Sequence, residues 1–394
     1  MTSLSRTRFS DLVSERTRAE IFATVLTEGP LSRSQLARRL GLAPSGVTRM
    51  LPPLLEHDYL RETVARAGDR GRPRKMLRLN PGKHVVVGVK IGPAQVSAVV
   101  TDMAADVLAR AERPIGDPTP RTALSAAANL TRRLLSEVPE AADRALGVGV
   151  GVSGHVDPGT GLCRYSSLLD WDQVDVAGPL HEATGLPVVV NNDVNTLVVA
   201  ERWFGRGRGV DTFAVVTVGP GIGCGLFLDG ALFSGATGLA GEFGHLPLDP
   251  AGPLCRCGRR GCVEALAGDR AVLRHLRDAG VTCTTIEEAA RLARSPRGSA
   301  RTVARAAFAE AGAALGRGLA GLCNLLNPRM IVVAGEGAAA HDLFGPAMSQ
   351  ALQAHAFSDA ARDCSLHVDP VPHDLWARGA ACLVIRDAVD GTLS

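Results

Sequence analysis

The densest group of chemically capable side chains lies between residues 245 and 264. His245 is followed by Cys255-Arg256-Cys257-Gly258-Arg259-Arg260-Gly261-Cys262, and then by Glu264. One imidazole and three thiols are the donor set of a closed, tetrahedral zinc site of the structural kind, with His245, Cys255, Cys257 and Cys262 as ligands. Gly258 and Gly261 let the short loop turn back on the metal. Four protein ligands leave no coordination position for water, which argues against a catalytic ion. Three incidental thiols beside a core histidine are the weaker reading, because chance seldom gives this spacing.

Other polar groups cluster with this loop. Asn192 and Asp193 follow the apolar stretch 186–190, Glu242 stands three residues before His245, and Glu264 comes just after the last cysteine. Carboxylates, an amide and an imidazole suit a polyhydroxylated ligand, since each sugar hydroxyl both donates and accepts. Zinc holding one ring nitrogen of His245 would leave the other free for such a hydroxyl. Any one of these acids alone reads as a surface or capping residue; their grouping around the zinc loop gives them weight.

The elements that position these groups read as an α/β body. Apolar, β-rich runs at 85–89, 96–100, 145–152, 186–190, 213–218 and 331–334 repeatedly end in polar or Gly-rich turns, with Ala/Leu/Arg-rich helical segments between several of them. That is the pattern of α/β domains that bind ligands at strand ends.

Ahead of the body lies a basic head. Residues 1–80 hold 15 Lys and Arg against 8 Asp and Glu, and the remainder holds 28 against 32. A basic head on an acidic body points the head at a polyanion. Residues 19–26 carry apolar side chains at helical spacing. Ser32 with Gln35 forms a capping box for a helix that Gly41 ends. A second helix begins near Pro44 and runs through Val47, Met50, Leu51, Leu54 and Leu55, with Pro52-Pro53 expected to shorten or kink it. Helix, glycine turn, helix is the helix-turn-helix pattern. Its second helix would offer Ser45, Thr48 and Arg49 to base edges, with Arg33 at the start of the preceding helix. Residues 59–64 and 76–79 read as a hairpin whose tip forms a basic wing. Arg72 would enter a minor groove, while Arg70, Arg74 and Lys75 contact phosphates.

Composition excludes other classes. Of the 394 residues, 46% are hydrophobic and 21% charged, with a mean hydropathy of +0.11, which suits a globular chain of two or three domains. No apolar run reaches membrane-spanning length and residues 1–18 are polar, so no membrane partner and a cytoplasmic location are expected. Apart from the cluster, six of the nine cysteines are scattered among mostly apolar neighbours and read as buried thiols.

The run Gly-Leu-Ala-Gly-Glu-Phe-Gly-His at 238–245, followed by Cys-x-Cys-Gly-x-x-Gly-Cys-x-Glu at 255–264, resembles the ROK family of repressors and sugar kinases, and the resemblance extends over essentially the whole chain. It implies an α/β fold in which an N-terminal winged helix-turn-helix (1–80) is joined by a linker (81–84) to a two-lobed, actin-like ATPase domain of the sugar-kinase type (85–394). Lobe one would span about 85–187 plus the C-terminal helix, and lobe two about 188–375, carrying the zinc loop. The resemblance also implies sugar contacts from Asn192, Asp193, Glu242, His245 and Glu264, helped by the Ser153-Gly154 turn. The chain departs from the family's kinases at two phosphate loops. Lys90-Ile91-Gly92-Pro93-Ala94 stands where Asp-x-Gly-x-Thr is the rule, and Pro220 interrupts what is usually Gly-Thr-Gly. Phosphoryl transfer depends on metal positioning and phosphate-binding donors. The expectation is therefore a sugar-responsive, DNA-binding regulator, a homodimer or homotetramer on operator DNA, with an ATP-dependent sugar kinase bearing a regulatory head as the alternative.

Overall fold

The computed structural model describes residues 9, 13, 15–65, 74–369 and 374–393. Arg70 and Arg72, expected at the wing tip, lie outside the described residues, as does the side chain of Arg74. The chain divides into two compact units, residues 1–208 with 374–394, and residues 209–373.

The first unit opens with the head. Helix α1 (Arg16–Glu28) buries Ile21, Phe22, Val25 and Leu26. A short strand β1 (Leu31–Ser32) leads into α2 (Arg33–Arg39), where Ser32 and Gln35 form the capping box. Gly41 turns the chain at φ +64° into α3 (Pro44–Met50), followed by α4 (Pro52–Glu56). The single second helix expected from the sequence is therefore two. Pro52 has no N–H to continue the ladder and its ring opposes the carbonyl four residues back, so the helix restarts after Leu51. Strands β2 (Leu60–Ala65) and β3 (Arg74–Leu79) form the wing hairpin, and β1 completes a sheet in the order β1-β3-β2.

The expected linker is a bonded turn. Residues Pro81–Lys83 form one 3-10 turn. The Met103 N–H donates to the Pro81 carbonyl, and Arg144 donates to the Gly82 carbonyl at 2.6 Å. His84 lies against Tyr59, with Phe9 and Phe22 in the same aromatic cluster. Its Nδ1 is 3.1 Å from the Arg144 carbonyl, which can only accept, so Nδ1 carries the proton and Nε2 accepts from the Tyr59 hydroxyl at 2.7 Å. Burial holds His84 below the usual histidine range and so favours this neutral form.

Beyond the turn, β4 (Val85–Ile91), β5 (Gln95–Asp102) and β6 (Val107–Pro114) make an antiparallel meander. Helices α5 (Pro120–Glu137) and the short α6 (Ala141–Arg144) lead to β7 (Ala145–Val152), parallel to β4. A small sheet of β8 (His155–Asp157), β9 (Leu162–Ser166) and β10 (Trp171–Asp175) precedes α7 (Ala177–Thr184). Strand β11 (Val188–Asn192) then pairs in parallel with β7, giving the order β11-β7-β4-β5-β6, and runs into α8 (Asp193–Phe204). The sequence reading opened the second lobe at about residue 188. Pairing of Val188–Asn192 with Val148–Val152 holds β11 in the first sheet, and the unit boundary falls after α8.

The second unit repeats the plan. Strands β12 (Phe213–Val218), β13 (Ile222–Leu228) and β14 (Ala231–Phe233) form a meander. After α9 (Val263–Ala267), α10 (Asp269–Asp278), α11 (Ile286–Arg294) and the 28-residue α12 (Ser299–Leu326), β15 (Met330–Ala334) lies parallel to β12. Helices α13 (His341–His355) and α14 (Ala360–Asp363) then lead to β16 (Ser365–Val368), parallel to β15, in the order β14-β13-β12-β15-β16. Both sheets thus have their first strand in the middle, a meander on one side and two parallel strands on the other.

The last helix, α15 (Leu375–Val389), returns to the first unit and packs on β4, β7 and α8. It comes so close that a Cβ on Gly149 would lie 1.9 Å from the Ala380 carbonyl oxygen, and one on Gly88 equally close to that of Ala377. Gly149→Ala is therefore expected to destabilise the protein by about 3 kcal/mol or more, through overpacking against backbone. Gly46→Ala, within α3 and with nothing within 4 Å of its Cβ, should be neutral or stabilising by about 0.5–1 kcal/mol. Denaturant unfolding midpoints of the two variants check the contrast.

Candidate functional site

The loop after β14 brings the four predicted ligands together. The ligand atoms of His245, Cys255, Cys257 and Cys262 all lie within 4.8 Å of one another, a cluster that could hold a metal ion. Cys257 Sγ and Cys262 Sγ are 3.7 Å apart, and Cys255 Sγ is 3.6 Å from His245 Nδ1. Backbone bonds shape the loop: Cys255 N–H to Arg259 O at 2.7 Å, Gly258 N–H to Cys255 O at 3.0 Å, and Gly261 N–H to Pro253 O at 2.8 Å. Gly258 and Gly261 have φ of +84° and +63°. At Gly261 the chain also passes Asp249 so tightly that a Cβ would lie 1.5 Å from its carbonyl oxygen. Burial pushes the Cys255 thiol up to about 12; a bound cation supplies the opposite field and ionises a coordinating thiol.

With Nδ1 turned to the sulfurs, His245 presents Nε2 to Glu242, whose Oε2 is 3.9 Å away. Glu264, in the first turn of α9, connects the cluster to the turn between β12 and β13. Its Oε1 is 3.8 Å from Cys255 Sγ, and its Oε2 accepts the Ile222 N–H at 3.3 Å. That turn, Gly219-Pro220-Gly221, is bordered by a second carboxylate: a Cβ on Gly219 would lie 3.1 Å from Glu336 Oε2. Asp269, whose N–H donates to the Gly219 carbonyl, is pushed up to about 7 by burial and by Glu336 and Glu287.

In the first unit, the junction of β11 and α8 carries Asn192 and Asp193. Asn192 is engaged at both ends of its amide. Its Oδ1 caps α8 by accepting from Val194 N at 2.9 Å and Asn195 N at 3.4 Å, and its Nδ2 donates to Gly154 O at 2.9 Å. It thereby fixes the Ser153-Gly154 turn, where Ser153 Oγ meets Ser166 Oγ at 3.2 Å. Asp193 is buried; its Oδ1 accepts from its neighbour Val194 N–H, and its Oδ2 is bonded to the ammonium of Lys90 at the end of β4. Lys90 Nζ also sits 4.8 Å from the centroid of the Trp376 ring on α15, a cation–π contact. Neither this pair nor the role of Trp376 was read from the sequence; a lysine placed where a carboxylate is the rule was the one available signal.

In the head, Ser45, Thr48 and Arg49 on α3 are exposed, as a helix offered to a groove requires. Arg33 and Lys75 are engaged by Glu62, which the sequence reading passed over. Of the six scattered cysteines, five are buried; Cys283 is half-buried and donates to the Thr285 carbonyl. Among the described residues, no helix is long and apolar enough to cross a membrane.

Two α/β sheets of one topology, one of them carrying a cysteine-rich metal loop, define a mixed α/β architecture of the actin-like ATPase class. The chain belongs to the ROK family, whose pattern it matches over residues 86–387. It is 24% identical over 379 residues to a xylose repressor of Caldicellulosiruptor bescii, covering 93% of this chain and 94% of that protein. It is 33% identical over 278 residues to a glucokinase of Thermotoga maritima, covering 67% of this chain and 87% of the enzyme. A solved ROK family transcriptional regulator, described as a homologue of the Escherichia coli MLC protein, superposes with a TM-score of 0.81 over 97% of this chain and 98% of that one, at 24% identity.

Because Gly261 has no room for a Cβ, Gly261→Ala should open the loop, lower the melting temperature and abolish any metal binding by the four donors. Gly258→Ala meets nothing within 4 Å, so it should keep the metal content of the wild-type protein and cost only about 1–2 kcal/mol for the left-handed backbone. Elemental analysis of the two purified variants distinguishes them.

Proposed function

We propose that this chain is a sugar-responsive transcriptional repressor that binds operator DNA through its winged head, takes a sugar in its body, and does not phosphorylate it. The observation that carries this reading is the Lys90–Asp193 ion pair. Asp193 is the carboxylate that would accept a proton from a sugar hydroxyl in a kinase. Here an ammonium is bonded to it, and the side-chain exposures of the pair are 16% and 10%. A base neutralised in this way, on a strand end that lacks the carboxylate and hydroxyl of the kinase loop, has lost the parts phosphoryl transfer needs. The second turn adds to the case. Glu264 and Glu336 border Gly219–Gly221, so a polyphosphate there would meet like charge, and Pro220 withholds a backbone donor.

The residues proposed for sugar contacts, carried over from the family resemblance, are Ser153, Gly154, Asn192, Asp193, Glu242, His245 and Glu264. The 3.9 Å gap between His245 Nε2 and Glu242 Oε2 is one that a single ligand hydroxyl can bridge, accepting from the imidazole and donating to the carboxylate. The metal that fixes the imidazole is assigned as zinc, about one per chain. A tetrahedron with Zn–S near 2.3 Å and Zn–N near 2.0–2.1 Å has edges of about 3.8 Å between sulfurs and about 3.6 Å from sulfur to nitrogen, in line with the 3.7 and 3.6 Å found here. When bound, the ion would fix the orientation of His245; the hydrogen bonds to the sugar would come from the protein.

The head carries Ser45, Thr48 and Arg49 to base edges, with Arg33, Arg74 and Lys75, and the wing-tip Arg70 and Arg72, toward the phosphates and the minor groove. As a dimer, two heads would read a pseudo-palindrome with half-sites about one helical turn or a multiple apart. A coupled ATP assay over a sugar panel should give no turnover; sugar phosphate formed at a rate that Asp193→Ala abolishes would overturn the reading. A sugar should also change operator affinity, and operator should change sugar affinity by the same factor, since coupling is reciprocal. Glu242→Ala should keep operator binding and lose the sugar response, as measured by fluorescence anisotropy of labelled operator with and without sugar.

A further inference from the structure

One carboxylate ties together three elements of the head. Glu62 sits midway along β2 with a side-chain exposure of 21%. Its Oε1 accepts from both Arg33 Nε at 3.1 Å and Arg33 Nη2 at 2.6 Å, and its Oε2 accepts from Lys75 Nζ at 3.0 Å. The two cations hold its carboxyl below the usual range, Lys75 most strongly. Arg33 is the first residue of α2, and the residue before it, Ser32, is both the cap of that helix and a partner of Met76 in β3. Lys75 is in β3 itself. The start of the first helix of the helix-turn-helix and both strands of the wing therefore meet at Glu62.

On affinity alone this carboxylate is out of place. Non-specific attraction to DNA grows with each cation free to displace counterions from the phosphates. Glu62 binds two such cations and adds a charge that phosphates repel. What it supplies instead is direction. Two donors of one guanidinium on a single oxygen fix which edge Arg33 turns to β2, and the second oxygen holds the Lys75 ammonium of β3.

We propose that Glu62 is a positioning residue for DNA recognition. It holds Arg33 and Lys75 in register with the exposed face of α3, and so exchanges general phosphate affinity for discrimination between sequences. The inference rests on the DNA-binding reading above.

The test uses the full-length, metal-loaded protein and two duplexes: one enriched from a random pool by the wild-type protein, and one of the same base composition in scrambled order. Both are titrated between 50 and 200 mM salt. Glu62→Gln should bind the scrambled duplex several-fold more tightly, with a salt slope steeper by up to about 1.8 for two released cations. It should bind the enriched duplex about tenfold more weakly, so the ratio of the two affinities collapses. Arg33→Met, which leaves Glu62 in place, should lower the same ratio without steepening the slope, and guards against a folding defect peculiar to position 62. If Glu62→Gln tightens both duplexes by one factor, Glu62 only balances charge and the proposal fails. If both weaken by one factor, Glu62 serves only head stability and the proposal fails equally. A wild-type protein that enriches no duplex from the pool overturns the DNA-binding reading, and this inference with it.

Discussion

A carboxylate as enclosed as Asp193 requires a cation, and in this chain the cation is covalently attached. Leaving such a charge unpaired in the interior would cost several kcal/mol, so Lys90 fixes more than a side chain. Its strand β4 is the centre of the first sheet, Asp193 begins α8, and Trp376, over which the ammonium lies, belongs to α15. Three elements distant in sequence are held at one strand end by a single charge. In a phosphoryl-transfer enzyme that position is left open for an exchangeable metal and a nucleotide. Here the Lys90 ammonium occupies it from within.

The second unit solves the parallel problem differently. Its strand-end turn, Gly219–Gly221, is bordered by Glu264 and Glu336, and Glu264 reaches on to Cys255. The cysteine loop and the turn after β12 therefore share a side chain. The same topology occurs in both units, yet one strand end is neutralised by a lysine and the other is faced with acids.

What was legible in the sequence was mostly local. The cysteine loop could be read because its three sulfurs fall within eight residues, and the capping box because Ser32 and Gln35 are three apart. The breaks came where long-range pairing decides. Nothing around residue 188 says that β11 pairs with β7 and not with a strand of the second unit. The Lys90–Asp193 bond spans 103 positions, and Trp376 lies farther still. The helix restart at Pro52 was half legible: two prolines signalled trouble, but the burial of Leu51 and Leu54, which accompanies helix on both sides, depends on distant partners. The alternation Gly147, Gly149, Gly151 within β7 did carry information, since a sheet face without side chains invites a helix close against it, as α15 confirms at Gly149.

The bonded turn at residues 81–84 has a mechanical consequence. A head on a loose tether samples many orientations and tolerates targets at many spacings. A head joined through Tyr59, His84 and Arg144 behaves as a bracket, and in a paired assembly two brackets make a ruler. One extra base pair between half-sites rotates one site against the other by roughly 34–36°, given 10–10.5 base pairs per turn. Flexible heads absorb such a rotation by diffusion; stiff ones must strain the protein, bend the DNA or release one half-site. In such an assembly the stiffness of a four-residue turn would set how narrowly the spacing of the target is measured, independently of any contact with its bases.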